Sequence, residues 1–181
     1  YNTVVGDEAG TAITTGDDNV AVGASALSAN TTGRRNIAIG YKALTAVTSG
    51  ERNTAVGWKA LEDATGSSNT ALGEQALLNN TTASDNTAVG AGSLANTTTG
   101  ASNTAVGKAS LLANTTGTQN TASGFESLKA NTTGQNNIST GFQSLLSNTT
   151  GNDNCAVGVQ ALRDNTTAGN NTAVGYYALK V

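Results

Sequence analysis

The chain has 181 residues, a formal charge of −3, no His, Met or Pro, one Cys, 22 Gly and only 4% aromatic residues. That balance offers no basic patch for nucleic acid, and no apolar run approaches the roughly 20 residues that cross a bilayer. The lack of His excludes His-based catalytic triads and His metal sites, and Cys155 alone cannot form an internal disulfide.

Self-similarity governs the rest. Asn recurs at 2, 19, 36, 53, 69, 86, 103, 120, 137, 154 and 171, every step being 17 residues except the 16 between Asn53 and Asn69. The whole of 1–181 is thus a single array of eleven copies. With that Asn as position zero, the consensus is Asn-Thr-Ala-Val-Gly, two variable residues, Ala-Leu, two variable residues, Asn-Thr-Thr-Gly and two variable residues. Because the chain has no Met, it is read as a piece of a longer fibre.

Each copy begins with Thr-Ala-Val, an alternating segment bounded by Asn and Gly, which predicts a short strand. Positions one and three share one face and the small residue at two takes the other. The Gly at position four, present from Gly6 to Gly175, predicts a turn that needs positive φ or close backbone approach. Asn-Thr-Thr-Gly predicts a second corner, through left-handed tolerance and side chains that bond nearby backbone. Two corners per copy describe one coil of an all-β parallel β-solenoid, or β-roll, of about eleven coils. Two Gly per copy with abundant Asn and Thr oppose a helical solenoid.

Along the chain, copy one departs from the pattern with Val4, Gly10 and the acidic pair Asp7 and Glu8. Copy two carries the motif with Val20 at position one. Copy four is one residue short, with Ala64-Thr65-Gly66 at its corner, where a local kink is expected. Copies eight and nine place Ser123 and Thr140 where the others have Val, Ile or Leu, a polar interruption of the expected core row. In copy ten Cys155 takes position one, as a small substitute in a packed row.

One coil offers about two large apolar side chains, Val and Leu, contributing roughly 1.5–3 kcal/mol each. Ordering its backbone costs about 1–2 kcal/mol per residue, so coils must stack, Val over Val and Leu over Leu. The core remains thin, and the small residues at positions two and seven would allow chains to approach closely. A homotrimeric rod, parallel about an axis and roughly 50 Å long at the spacing of adjacent strands, is the expected assembly.

Asn-Thr-Ala-Val-Gly-Tyr-Tyr-Ala-Leu at 171–179 and Asn-Ile-Ala-Ile-Gly-Tyr-Lys-Ala-Leu at 36–44 resemble repeats in tail-fibre-like proteins of phages, large viruses and some bacteria. The Ala-Val-Gly core is also similar to the β-roll heads of trimeric autotransporter adhesins, whose repeat is shorter. The resemblance covers the whole chain. It implies a homotrimeric extracellular, cell-surface or virion fibre that acts as a stalk or adhesive head, with the chain itself as partner.

Candidate chemistry is sparse. No catalytic constellation or phosphate-binding loop is present, so neither an enzyme nor a cofactor is expected. The scattered acidic residues lack the Gly-Asp period of calcium-binding β-rolls, and no metal site is expected. Five of seven aromatics, Tyr41, Trp58, Phe125, Phe142 and Tyr176, stand at position five. Tyr41 with Trp58, and Phe125 with Phe142, should stack as ladders. With Lys42 and Lys59 beside the first, these rings are candidates for contact with a host-surface glycan or protein. The other reading is that they shield the turn or pack between protomers. Asn30, Asn80, Asn96, Asn114, Asn131, Asn148 and Asn165 each open an Asn-Thr-Thr glycosylation motif, although the same residues suit the corner. Two further readings are an end-to-end surface filament, because open solenoid ends expose strand edges, and an ice-binding face of Thr ranks, against which stands the lack of a Thr-x-Thr strand.

Overall fold

The computed structural model describes residues 1–180. It is all-β: eleven strands of three residues, β1 Thr3–Val5, β2 Val20–Val22, β3 Ile37–Ile39, β4 Thr54–Val56, β5 Thr70–Leu72, β6 Thr87–Val89, β7 Thr104–Val106, β8 Thr121–Ser123, β9 Ile138–Thr140, β10 Cys155–Val157 and β11 Thr172–Val174. They form one parallel sheet in sequence order, with every repeat position paired to itself in the next coil, as in Ile37↔Thr54, Ala38↔Ala55 and Ile39↔Val56. This is the β-solenoid the repeat predicts. The short fourth coil does not disturb the sheet: Thr54 still pairs with Thr70 and Val56 with Leu72. The missing residue is absorbed at the Thr corner, where Asn53 Nδ2 still reaches the Gly66 carbonyl at 3.0 Å.

The core differs from the expected one. Ala21, Ala38, Ala55 and Ala105 at position two are fully buried, whereas Ile39, Leu72 and Val106 at position three are 39%, 48% and 41% exposed. The strand therefore turns its small residue inward and its β-branched residues outward. Leu at position eight fills the interior from the opposite wall, from Leu27 to Leu145 without exposure. Ser123 and Thr140 accordingly lie on the outer face and interrupt no core row, and Cys155 is half-buried on that same face. The polar interruption of the interior lies elsewhere in the same coils. Ser127, Ser139 and Ser144 are fully buried, and Ser127 Oγ donates to Ser139 Oγ at 2.7 Å.

Position zero contributes to the core as much as the Leu does. Asn36, Asn53, Asn86, Asn103 and Asn120 are fully buried, and each amide is bonded along the axis. The Asn36 backbone N–H donates to Asn19 Oδ1 at 2.9 Å, and Asn36 Nδ2 donates across the coil to the Gly50 carbonyl at 2.9 Å. A second column at position eleven is less complete. Asn131 and Asn148 bond to the Asn one coil before, both at 2.9 Å, but Asn80 makes no side-chain bond within the described residues. A buried amide without partners costs on the order of 1–3 kcal/mol, so the position-zero column stabilises the stack by pairing its buried amides from coil to coil.

The turn Gly has both properties expected of it. Gly23 has φ +127°, and a Cβ there would stand 2.7 Å from the Gly40 carbonyl oxygen. The left-handed residues are otherwise not where composition suggests. The corner Gly at position fourteen is not among the positive-φ residues; position six (Lys59, φ 55°), position eight (Leu61, φ 53°) and position sixteen (Arg52, φ 57°) are. Alternating handedness aims the N–H groups of positions six and eight at opposite neighbours: Ser25 donates back to the Asp7 carbonyl at 2.8 Å, and Leu27 forward to the Ala43 carbonyl at 3.0 Å. A left-handed non-Gly residue costs about 1–2 kcal/mol, which full burial of a Leu side chain, at roughly 1.5–3 kcal/mol, offsets.

Candidate functional site

Position five follows the Gly turn directly, so its side chain leaves the coil at the edge of the sheet and lies over the same position in the next coil. The structure brings both predicted pairs together. Tyr41 and Trp58 stack with centroids 6.5 Å apart and planes at 21°, and Phe125 and Phe142 with centroids 5.4 Å apart and planes at 10°. All four are between 40% and 45% exposed. Stacking along the rod covers one face of each ring. The neighbouring position-five residues are Ala24 beyond Tyr41 and Glu74 beyond Trp58. The more open platform is therefore Tyr41, over the small Ala24.

Lys42 and Lys59 do lie beside the rings, with Nζ 5.7 Å from the Tyr41 centroid and 5.0 Å from that of Trp58. Neither is a free cation: Lys59 pairs with Glu62 at 3.0 Å and Lys42 with the same carboxylate at 3.8 Å. Glu62 was missing from the sequence-based site because it sits at position nine, on the next wall. The Phe pair has a similar border. Glu126 accepts from Lys129 Nζ at 2.6 Å and from Gln143 Nε2 at 2.8 Å, and these bonds, that of Lys129 first, hold its carboxyl below the usual range. Beside them lies an open dimple of about 420 Å³ lined by Leu112, Leu146 and the Lys129 stem.

The glycosylation motifs divide. Asn30, Asn80, Asn114, Asn131 and Asn148 are fully buried, with Asn30 Nδ2 bonded to the Gly33 carbonyl at 3.1 Å, so a glycan at any of them is incompatible with the coil. Asn165 is partly exposed and bonds to Asn148 at 3.1 Å. Asn96 alone among the seven is exposed, because it falls at position ten while Thr97 takes the buried corner place.

The outer strand face is the largest feature that the sequence reading did not single out. Positions one and three of the eleven strands present Thr, Val, Ile, Leu, Ser and Cys, and no charged residue. The 9 basic and 12 acidic residues all fall at positions five, six, nine, ten, fifteen and sixteen. Charge thus flanks the strand face on both sides and never enters it. The Thr corner at positions twelve and thirteen is also uncharged but more polar, its inner hydroxyls bonding to the next coil, as Thr31 Oγ1 does to the Thr48 carbonyl at 3.0 Å.

Among the described residues no cluster of three or more His, Cys, Asp or Glu is placed to hold a metal. Comparison of the chain with protein-family models, curated proteins and solved structures found no match.

Proposed function

We propose that this chain is a structural rod: a stalk or adhesive-head segment of an extracellular, cell-surface or virion fibre, assembled as a homotrimer and without enzymatic activity. The observation that carries this reading is that every strand pairs only with the strands of adjacent coils. Ten steps of about 4.8 Å give a rod near 48 Å long whose stability is a sum over neighbours, which suits reach and repeated display. The thin interior of Ala, Leu and Asn, together with the exposed aliphatic row, supports assembly from several chains.

Light scattering with electron microscopy tests this. The expected particle is a uniform rod of three times the 17.9 kDa chain mass. A mass of one chain would overturn the trimer, and a continuum of longer particles would replace it with the end-to-end filament.

A glycan-binding role is a second reading, favoured by the half-exposed Tyr41 ring next to the small Ala24. A glycan held there is expected to lose about tenfold or more in affinity, or roughly 1.4 kcal/mol, in Tyr41→Ala. Trp58→Ala should have the smaller effect, since the next residue at its position is the larger, charged Glu74. Array binding unchanged in the double variant removes this patch from consideration.

A further inference from the structure

From the outer strand face we infer the surface through which copies of this chain meet: positions one and three of all eleven strands, with the copies parallel and each coil level with its counterpart. The inference rests on the multi-chain reading above and adds the face and the register.

The argument starts from where charge is absent. Position three carries Ile39, Leu72, Val106 and Val157, between 36% and 48% exposed, in an uncharged file that is aliphatic except at Ser123 and Thr140, beside the Thr-rich file of position one. An aliphatic file of this length bordered on both sides by charged positions has the anatomy of an interface core and its rim. The stripe is about 48 Å long and about 10 Å wide, on the order of 500 Å² per chain, so a facing pair removes on the order of 1,000 Å², the lower bound for a specific interface. A second copy suits it better than an unrelated partner, because both surfaces then share the same coil pitch over their whole length. Nothing on either stripe puts an unpaired charge into the contact.

Parallel alignment follows from two considerations. Three chains about one axis along the rod must run the same way. Such an axis sets the position-sixteen border of one copy beside the position-five border of the next at the same level. The rows through β3 and β4 are the ones that carry Arg35 and Arg52 just before the strand and Tyr41 and Trp58 just after it, so guanidinium groups meet ring faces and edges there. An antiparallel pair would instead set coil three against coil nine, matching Ile37 to Ile138.

Cys155 provides a native probe on this face. In the full chain, oxidation with copper–phenanthroline is expected to link Cys155 to Cys155 of another copy, giving a covalent dimer on non-reducing gels. A Cys155→Ser chain carrying Val89→Cys should link equally well, and one carrying Thr99→Cys, on the Thr corner, should not. The double variant Val56→Lys, Val106→Lys should fall to the mass of one chain with an unchanged β circular-dichroism spectrum. If the natural chain is itself monomeric, the multi-chain reading fails and this one with it. If it is trimeric but Thr99→Cys links and Val89→Cys does not, or the folded Lys variant stays trimeric, the face assigned here is wrong while the trimer stands. Peptide mapping that finds Cys155 joined to Val20→Cys, and never to Cys155, would overturn the parallel register. The cross-links decide the matter even where the Lys variant does not fold.

Discussion

Asn103→Asp is expected to lower the stability of the rod by about 3 kcal/mol or more, although it changes one NH₂ to an oxygen. Asn103 is fully buried. Its Nδ2 donates to the Gly117 carbonyl at 2.9 Å and to Asn86 Oδ1 at 3.2 Å, and its Oδ1 accepts the Asn120 backbone N–H at 3.0 Å. A carboxylate keeps the accepting role, loses the donations and faces their acceptor oxygens in a fully buried site. Burial and these oxygens both favour the neutral acid, so the introduced carboxyl titrates above the ordinary range in the folded rod. The defect is then largest above that raised pKa and shrinks as pH falls through it. Thermal melts should show a drop of roughly 6–12 °C at neutral pH, narrowing toward pH 4. Asn96→Asp is the matched control: Asn96 is exposed and should stay within about 0.5 kcal/mol of the parent chain. Equal melting of the two variants would sink the idea that the position-zero column holds the stack.

These two asparagines show what the sequence could and could not disclose. The coil itself was legible, because Asn at zero, Gly at four and Leu at eight repeat with a fixed step that only a solenoid of short strands satisfies. The ring pairs were legible for the same reason: parallel in-register pairing puts equal positions on top of one another, so Tyr41 had to meet Trp58. The inside and outside of the strand were not. Hydropathy favours Val56 over Ala55 for the core, yet Ala55 is the buried one, because Leu from the opposite wall fills the space and only a small side chain fits against it. The signal was the restriction of positions two and seven to small residues, which marks a narrow interior as readily as a close contact between chains. The Asn column carried a signal too: a residue needed only to end a strand would vary, and this one appears in all eleven copies. Left-handed Leu61 and Leu94 had none, since local propensity opposes that conformation and only the stacked coil overrides it. Glu62 was missed because the wall that brings it to Lys42 and Lys59 is set by those same left-handed residues.

Gly107→Ala should damage the rod far more than the same methyl added at Gly175, and the two sites show why. The two glycines share the same backbone, φ +128° and +131°, so a side chain at either incurs the same conformational cost of about 1–3 kcal/mol. Their surroundings differ. A Cβ on Gly107 would stand 2.5 Å from the Gly124 carbonyl oxygen, whereas one on Gly175 meets nothing closer than Ala178 Cβ at 3.9 Å. The first must push two coils apart; the second only strains its own turn. In a linear array each coil is held by its two neighbours, so separating coils seven and eight divides the rod into two shorter stacks, each with a fresh unpaired edge. Gly107→Ala is therefore expected to lose about 3 kcal/mol or more and to melt in two steps. Hydrogen exchange should be fastest at the amides that cross this junction, such as Thr104 N–H to the Asn120 carbonyl and Gly124 N–H to the Val106 carbonyl. Gly175→Ala should keep a single transition. If both variants lose the same amount, the cost lies in the φ angle alone, and close approach between coils is not what keeps glycine at this position in every copy.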